Sequence, residues 1–240
     1  ELMREAGKRL AHVHQELEAM ITPGISTWEI DAKGEKLIRD CGCIPNFLHY
    51  NGYPASICVC VNDEVVHGIP RKDRYLKEGD IVSLDAGLIY KGYHSDAART
   101  HAVGKVSTEA QKLMDVTKQS FFEGIKMAKE GQHLHDISRA IEEYVTPYGY
   151  GIVRDLVGHG IGTALHEDPQ IPNYAQKRRG VRLQAGMTLA IEPMINAGTW
   201  QVRFLRDGWT VVTKDGSLSA HYEHTIALTA DGVEVLTKVD

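Results

Sequence analysis

The sequence predicts an α+β fold made of two related halves packed about a pseudo-twofold axis. Matching residues recur in the same order 107 positions apart, as in the pairs Gly24 and Gly131, Ile30 and Ile137, Glu35 and Glu142, Gly79 and Gly186, and Asp85 and Glu192. Both halves also order two helices before β-rich segments. Chance similarity of two generic units is the alternative, and several matches at one offset disfavour it. Because such folds tend to place a site on the axis, we expect Asp85 and Glu192 to face each other.

Two helices are predicted to open each half. The predicted segments are Leu2–Met20 and a helix beginning near Ser26, then Thr108–Lys129 and a helix from about His135 to Tyr144. Ser26 and either Ser107 or Thr108 have the side chains that cap helix N-termini. Gly24 and Gly131 follow the first helix of each pair, where glycine commonly ends a helix.

Strands are predicted where β-branched and other apolar residues follow the helices. These segments are Ser56–Val61 and Ile81–Leu84 in the first half, and Thr188–Ile191 and Thr225–Leu228 in the second. The sequence is therefore interpreted as one domain over residues 1–240, with pseudo-symmetric halves of about 1–104 and 105–240.

Composition excludes several classes of protein. Of the 240 residues 42% are apolar and 25% are charged, which is ordinary for a globular enzyme. Apolar runs such as Ala55–Val61 are far shorter than the roughly 18 residues of a membrane-spanning helix, so no membrane partner is expected. The net charge of −5 gives no overall positive field, so DNA is not an expected partner.

Cysteine usage indicates a reducing compartment. Four cysteines, at positions 41, 43, 58 and 60, are too sparse for a disulfide framework, and no signal peptide opens the chain. We therefore expect a cytoplasmic protein with reduced thiols. Structural zinc is the alternative, but zinc ribbons usually use Cys-x-x-Cys spacing. The chain begins at Glu1 without an initiator Met, so the natural start is expected a few residues upstream.

A predicted hairpin brings two acidic residues together. β-like runs flank Lys91-Gly92, a plausible two-residue turn that would pair Tyr90 with Tyr93 and Asp85 with Ala98. Asp85 and Asp96 then share a face, with α-carbons about 7–8 Å apart. Two unpaired carboxylates within a sheet are costly unless protonated or neutralised by cations. A solvated hairpin face is the alternative interpretation of these two residues alone.

Three further residues extend this pair into a set of potential metal ligands. His159 lies in Gly158-His159-Gly160, a pattern that suits close backbone approach. Glu192 ends a strand before a proline, and Glu223 enters one. Four carboxylates and one imidazole suit a pair of Mn²⁺, Fe²⁺ or Co²⁺ ions, whereas a structural zinc site favours thiolates.

These five positions, together with the segments Val61–Pro70 and Asp207–Trp209, closely resemble the methionine aminopeptidases. The resemblance covers nearly the whole chain in motif order. It implies the pseudo-twofold "pita-bread" fold of the creatinase/aminopeptidase group, with antiparallel sheet covered by helices. The 31 residues from Glu192 to Glu223 leave no room for the helical insert of type II members, so the chain is similar to the bacterial type I enzymes.

The resemblance implies a role for each site residue in removing an N-terminal methionine. Two divalent ions (Co²⁺, Mn²⁺, Fe²⁺ or Zn²⁺) would be held by Asp85 on one metal, His159 and Glu192 on the other, and bridging Asp96 and Glu223. A water or hydroxide between the ions would attack the first peptide bond, and Glu192 would also handle the proton. The implied catalytic histidines are His67, contacting the scissile amide nitrogen, and His166, donating to the carbonyl oxygen.

The resemblance also implies how the substrate would be recognised. The methionine pocket would be lined by Tyr50, Tyr53, Cys58, Leu165 and Trp209, and the second substrate residue would be small and uncharged. Leu165 stands where bacterial relatives often have Phe, and Phe47 where some have Cys. A monovalent cation near Asn62 and Ser219, a monomeric chain, nascent polypeptides as substrates and a transient ribosome contact are further expectations.

Two other functions remain open on the sequence alone. A short prolidase-like peptidase would use the same ligands to cut before proline, although prolidases add a large N-terminal domain. A non-catalytic pita-bread protein could instead bind peptides or the ribosome. Such a protein would be expected to have lost some ligands, whereas this sequence has all five.

Overall fold

The computed structural model describes residues 1–238, in which four α-helices cover antiparallel β-sheets. The helices are α1 (Leu2–Glu18), α2 (Thr27–Asp40), α3 (Thr108–Ile125) and α4 (Leu134–Val145), with short 3₁₀ helices at Tyr50–Gly52 and Thr146–Tyr148. The strands are β1 (Ile44–Pro45), β2 (Ile57–Val61), β3 (Glu64–Val66), β4 (Ile81–Tyr90), β5 (Tyr93–Ala102), β6 (Gly151–Ile152), β7 (Gly158–Gly160), β8 (Glu167–Ile171), β9 (Thr188–Ile191), β10 (Met194–Asn196), β11 (Val202–Phe204), β12 (Val211–Thr213), β13 (Ser219–His221), β14 (His224–Thr229) and β15 (Gly232–Val235).

The predicted N-caps explain where two helices begin. Ser26 accepts a hydrogen bond from the Glu29 amide, and the Glu29 carboxylate accepts one from the Ser26 amide, so this pair forms a capping box. Ser107, and not Thr108, caps α3 through the Ala110 amide. α1 and α3 end earlier than predicted, because the residues after Glu18 and Ile125 enter tighter turns with three-residue hydrogen bonds.

The sheets are antiparallel throughout the described pairings. One sheet has β4 at its centre, with β5 on one edge and β1 and β2 on the other, and a second runs in the order β15-β14-β9-β7-β8. Two three-stranded sheets, β13-β10-β6 and β11-β12-β3, complete the set. Hydrogen bonds between Ala98 on β5 and Glu223 before β14 join the two larger sheets where the halves meet.

The predicted hairpin is confirmed residue by residue. Tyr90 pairs with Tyr93, and Asp85 pairs with Ala98, around the Lys91-Gly92 turn. β4 extends beyond the predicted strand end at Leu84 and reaches Tyr90. Asp85 and Gly87 lie within the strand, where they pair with Ala98 and Asp96 of β5.

Each helix pair buries its apolar face against its own strands. One core cluster gathers side chains from Ala6 to Val103, and another gathers Ile81 with residues from Ala110 to Leu228. The α+β fold class is confirmed, while the division into halves at residue 104 stays a prediction. Among the described residues, no helix is both long and apolar enough to cross a membrane.

Candidate active site

All twelve predicted site residues line one cavity of about 210 Å³. Its acidic end holds Asp85, Asp96, His159, Glu192 and Glu223, and the remainder holds Phe47, Tyr50, Asn51, Tyr53, Cys58, His67, Leu165, His166 and Trp209. Asp85 and Glu192, related by the sequence repeat, both line this cavity, and the Asp85 charge adds to the rise in the pKa of Glu192. That the two side chains face each other directly stays a prediction. The cavity is therefore acidic at one end and mainly aromatic and apolar at the other.

The acidic end is a close cluster of ligand-type atoms. Ligand atoms of Asp96, His159 and Glu223 all lie within 4.8 Å of one another. His159 Nε2 also lies 3.5 Å from Glu192 Oε1 and 4.0 Å from Asp96 Oδ2. Asp85 belongs to the same cluster, because it lines the same cavity and its charge raises the pKa of Asp96, Glu192 and Glu223.

The strands position these side chains by close backbone contacts. A Cβ at Gly158 would overlap the Ala190 carbonyl oxygen, and one at Gly160 would overlap that of Asp168. The glycines flanking His159 therefore allow β7 to pack between β8 and β9, as the pattern predicts. Asp96 is fixed by two backbone hydrogen bonds with the Thr225 hydroxyl, of 3.0 and 2.8 Å.

Burial raises the pKa of every carboxyl group in the cluster. The pKa of Asp85 rises to about 7, and those of Asp96, Glu192 and Glu223 rise well above their ordinary values as neighbouring carboxylates add to desolvation. Burial lowers the pKa of His159 to about 4, so its imidazole is neutral at pH 7. Without cations, the cluster therefore holds protons in place of charge.

The donor set fits divalent metal ions. Asp85 Oδ1, Asp96 Oδ1 and Glu223 Oε1 are buried and accept no hydrogen bond from any described residue. Unsatisfied buried acceptors beside a neutral imidazole are the ligands that Mn²⁺, Fe²⁺ or Co²⁺ would use. The four cysteines are free and lie outside the cluster of close ligand atoms, which disfavours a thiolate zinc site.

His221 belongs to the site but was not assigned from the sequence. Its buried Nε2 lies 3.9 Å from both Glu192 Oε2 and Glu223 Oε2, and burial lowers its pKa to about 3. The only sequence signal is its position two residues before Glu223. His94, two residues before Asp96 on β5, places Nδ1 2.6 Å from Asn46 Oδ1 and does not line the cavity.

The apolar end is built around two aromatic residues in contact. Tyr53 and Trp209 meet edge to face with ring centroids 5.2 Å apart, and the Tyr53 hydroxyl donates to the Gly68 carbonyl. Phe47, Cys58 and Leu165 are buried in the same cluster. The Trp209 loop is fixed by Asp207, whose carboxylate accepts hydrogen bonds from the Trp209 and Thr210 amides.

The two predicted catalytic histidines lie between the two ends. Burial lowers the pKa of His67 to about 4 and also lowers that of His166. His67 has a positive φ of 57° and meets Trp209 edge to face, which orients its ring. The hydroxyl of Tyr50 lies 2.8 Å from His166 Nδ1, a contact that sequence reasoning missed.

The predicted monovalent-cation residues are adjacent. The Ser219 amide donates to the Asn62 carbonyl oxygen, and the Ser219 hydroxyl donates to Asn196. The cation itself stays a prediction.

Comparison with known proteins identifies the family. The model of metallopeptidase family M24 matches residues 1–230. A methionine aminopeptidase of Clostridium acetobutylicum is 53% identical over 237 residues, covering 99% of this chain and 95% of that protein. The crystal structure of a methionine aminopeptidase from Thermotoga maritima superposes with a TM-score of 0.97 at 47% identity, covering 99% and 96% of the two chains.

A more distant likeness concerns the alternative peptidase. An Xaa-Pro dipeptidase from Bacillus anthracis matches with a TM-score of 0.79 at 26% identity, and the match covers all of this chain but only 60% of that one. The resemblance drawn from the motifs is confirmed. The chain belongs to metallopeptidase family M24 and, within it, to the methionine aminopeptidases.

Proposed function

We propose that this protein is a metal-dependent aminopeptidase that removes methionine from the N-terminus of nascent proteins and peptides. The observation that carries this proposal is the continuity of the cavity, in which an apolar pocket ends at five potential metal ligands. A side chain bound in the pocket would present its own backbone to the acidic end. Only the first peptide bond of a chain would then reach the reacting groups.

The pocket has the chemistry that methionine requires. Its walls are the rings of Tyr53 and Trp209 with the Cys58 thiol and the Leu165 side chain, all of which are apolar or polarisable. Thioethers make favourable contacts with such rings, and the unbranched side chain adapts to a narrow space. The hydroxyl of Tyr50 and the imidazoles of His67 and His166 lie at the boundary with the acidic end.

The acidic end would hold two divalent ions through Asp85, Asp96, His159, Glu192 and Glu223. When bound, such ions supply a nucleophilic water at neutral pH and polarise the substrate carbonyl. Co²⁺, Mn²⁺, Fe²⁺ and Zn²⁺ are all compatible with this oxygen and nitrogen donor set. The free α-amine of the substrate would be received at this polar end, so an acetylated N-terminus should not be cut.

Residues of the chain would handle the proton and the developing charge. Glu192, which lines the acidic end, would accept the proton of the attacking water and pass it to the leaving amine. If the Tyr50 hydroxyl donates to Nδ1 of His166, the His166 proton lies on Nε2 and can stabilise the carbonyl oxygen. His67, neutral at pH 7, would contact the scissile amide nitrogen.

Several finer features belong to the same proposal. The second residue of the substrate would be small and uncharged, and a monovalent cation would bind near Asn62 and Ser219. The protein would act in the cytoplasm as a monomer, in transient contact with the ribosome.

Metal reconstitution tests the reaction class. The metal-stripped protein would be given Mn²⁺, Fe²⁺ or Co²⁺, and free methionine released from Met-Ala-Ser would be measured. We expect release that requires metal and is lost in Asp96→Ala. Release by the metal-free protein, or undiminished release by Asp96→Ala, would contradict the proposal. Absence of methionine release, with metal demonstrably bound, would favour a peptide-binding module.

A further inference from the structure

A second cavity lies behind the sheet that carries the acidic cluster. It measures about 300 Å³ and lies between strand β5, helix α3 and the C-terminal strands. Its polar lining includes Arg99, Lys118, His224 and Lys238, and no carboxylate side chain lines it. Arg99 lies three residues after Asp96 on β5, so the two side chains point to opposite faces of the strand. The cavity is therefore separate from the proposed active site.

Arg99 is a largely buried cation with incomplete hydrogen bonding. Nη2 donates to the Thr237 carbonyl oxygen at 2.6 Å, while Nη1 is buried and donates to no described residue. None of the ion pairs formed by the described residues includes Arg99. A guanidinium stays charged at every physiological pH, and a buried charge is costly unless it is paired. The structure thus presents a cation that lacks its counter-ion.

The groups that line this cavity cannot supply that negative charge, because none of them is a carboxylate. His224 is neutral or positive in either protonation state, and its ring nitrogens contact Thr237 and Tyr222. Lys118 lies 5.9 Å above the Tyr222 ring and, with Lys238, adds positive charge at the exposed rim. The charge of Glu18 raises the pKa of Arg99, but the Glu18 carboxylate is exposed and contacts His101, so it does not form an ion pair with Arg99.

We propose that this cavity binds a small oxyanion, either inorganic phosphate or the phosphate group of a small metabolite. Arg99 would donate hydrogen bonds to the anion from Nη1, and Lys118 and Lys238 would add positive charge at the rim. Arginine forms strong charge-assisted hydrogen bonds with phosphate oxygens. Such an anion would also link β5 to the C-terminal strands, since Arg99 already bonds to Thr237. The bound anion should therefore stabilise the folded protein.

Phosphate binding can be measured directly on the metal-stripped full chain. Removing metal prevents phosphate from binding ions at the active site, where the bare carboxyl groups offer an anion no attraction. Calorimetric titration with inorganic phosphate, at constant ionic strength against chloride, should give saturable binding to one site. At ten times the Kd, phosphate should raise Tm by about 3 °C. Glycerol phosphate run in parallel identifies the source, because the tighter binder is the closer match to the natural anion.

Three variants assign the binding to the cavity. Arg99→Met should weaken phosphate binding at least tenfold, as expected for the loss of a charge-assisted hydrogen bond. The double variant Lys118→Met with Lys238→Met changes only exposed residues and should weaken binding severalfold, so it decides the matter if Arg99→Met does not fold. Arg139→Met, on the exposed face of α4, is the matched control and should bind normally. Absence of saturable binding, or equal binding by all variants, would overturn the proposal.

Discussion

The hydroxyl of Tyr50 lies 2.8 Å from Nδ1 of His166, at the boundary between the apolar pocket and the acidic cluster. This contact can fix both the ring orientation and the tautomer of His166, because a hydroxyl that donates to Nδ1 leaves the proton on Nε2. Tyr50→Phe should therefore lower kcat for Met-Ala-Ser by about tenfold with little change in KM, whereas His166→Ala should lower kcat about a hundredfold.

The matched control for this prediction is Tyr75→Phe. Tyr75 is 53% exposed and does not line the cavity, so its variant should keep full activity. Equal kcat values for Tyr50→Phe and the unchanged protein would show that Tyr50 does not position His166.

Metal binding should release protons. The raised pKa values of Asp85, Asp96, Glu192 and Glu223 mean that these groups hold protons near neutral pH in the metal-free protein. Metal ligation requires their ionised forms, so Mn²⁺ affinity should rise at least tenfold between pH 6 and pH 8, by an order-of-magnitude linkage argument. Calorimetry in buffers of different ionisation enthalpy measures the released protons. Equal heats in all buffers, with a Kd independent of pH, would contradict the raised pKa values.

The stability of the metal-free protein should depend on pH in a direction set by the same carboxyl groups. The pKa of Asp85 is about 7 in the folded state and about 4 in an unfolded chain, so its contribution to the free energy of unfolding is lost as pH rises through 7. His159, with a pKa lowered to about 4, contributes the opposite trend from about pH 4 to somewhat above pH 7, and so do the other buried histidines of lowered pKa, such as His67 and His221. Comparison with an Asp85→Asn variant cancels these histidine contributions, because the variant keeps the same histidines.

We therefore expect the difference in Tm between the metal-free protein and its Asp85→Asn variant (protein minus variant) to fall by several degrees between pH 5 and pH 7, measured by scanning calorimetry. The variant is the reference because an amide does not titrate. Asp40→Asn, on the exposed end of α2, serves as the control and should show the same pH dependence of Tm as the unchanged protein. A Tm difference that stays constant or rises over this range would refute the assignment.

Trp209 should determine how tightly methionine binds. Its ring closes the pocket against Tyr53, so Trp209→Ala should raise KM for Met-Ala-Ser by roughly tenfold or more, as expected for the loss of a large apolar contact. Trp28→Ala provides the comparison, since Trp28 is 42% exposed on α2 outside the cavity. Similar KM values for the two variants would show that Trp209 does not contribute to methionine binding. Steady-state kinetics on purified, metal-loaded variants provide the measurement.

Much of the fold and site could be predicted because it depends on short-range rules. The register of the β4–β5 hairpin follows from its two-residue turn, which places Asp85 and Asp96 on one face. The glycines beside His159 indicate close strand packing, because a residue without a side chain allows neighbouring backbone to approach. The helix ends were predicted less well, because the tight turns after Glu18 and Ile125 have no distinct side-chain signature.

The remaining features depend on contacts between distant parts of the chain. Tyr50 and His166 are 116 residues apart, and Thr225 bonds to Asp96 across 129 residues. His221 gains its place beside Glu192 only because β13 and the end of β9 converge at the acidic cluster. Nothing in the sequence around Arg99 indicates burial without a counter-ion. Such relationships arise from how the sheets pack, and residue spacing does not encode them.

A competition between substrates tests the central claim most directly. Metal-loaded protein would be incubated with equal amounts of Met-Ala-Ser, its N-acetylated form and the dipeptide Ala-Pro, and the products would be followed by mass spectrometry. The account predicts that methionine is released from Met-Ala-Ser while the acetylated peptide and Ala-Pro stay intact. Faster cleavage of Ala-Pro would show that the cavity serves an X-Pro peptidase, and cleavage of the acetylated peptide would show that a free α-amine is not required.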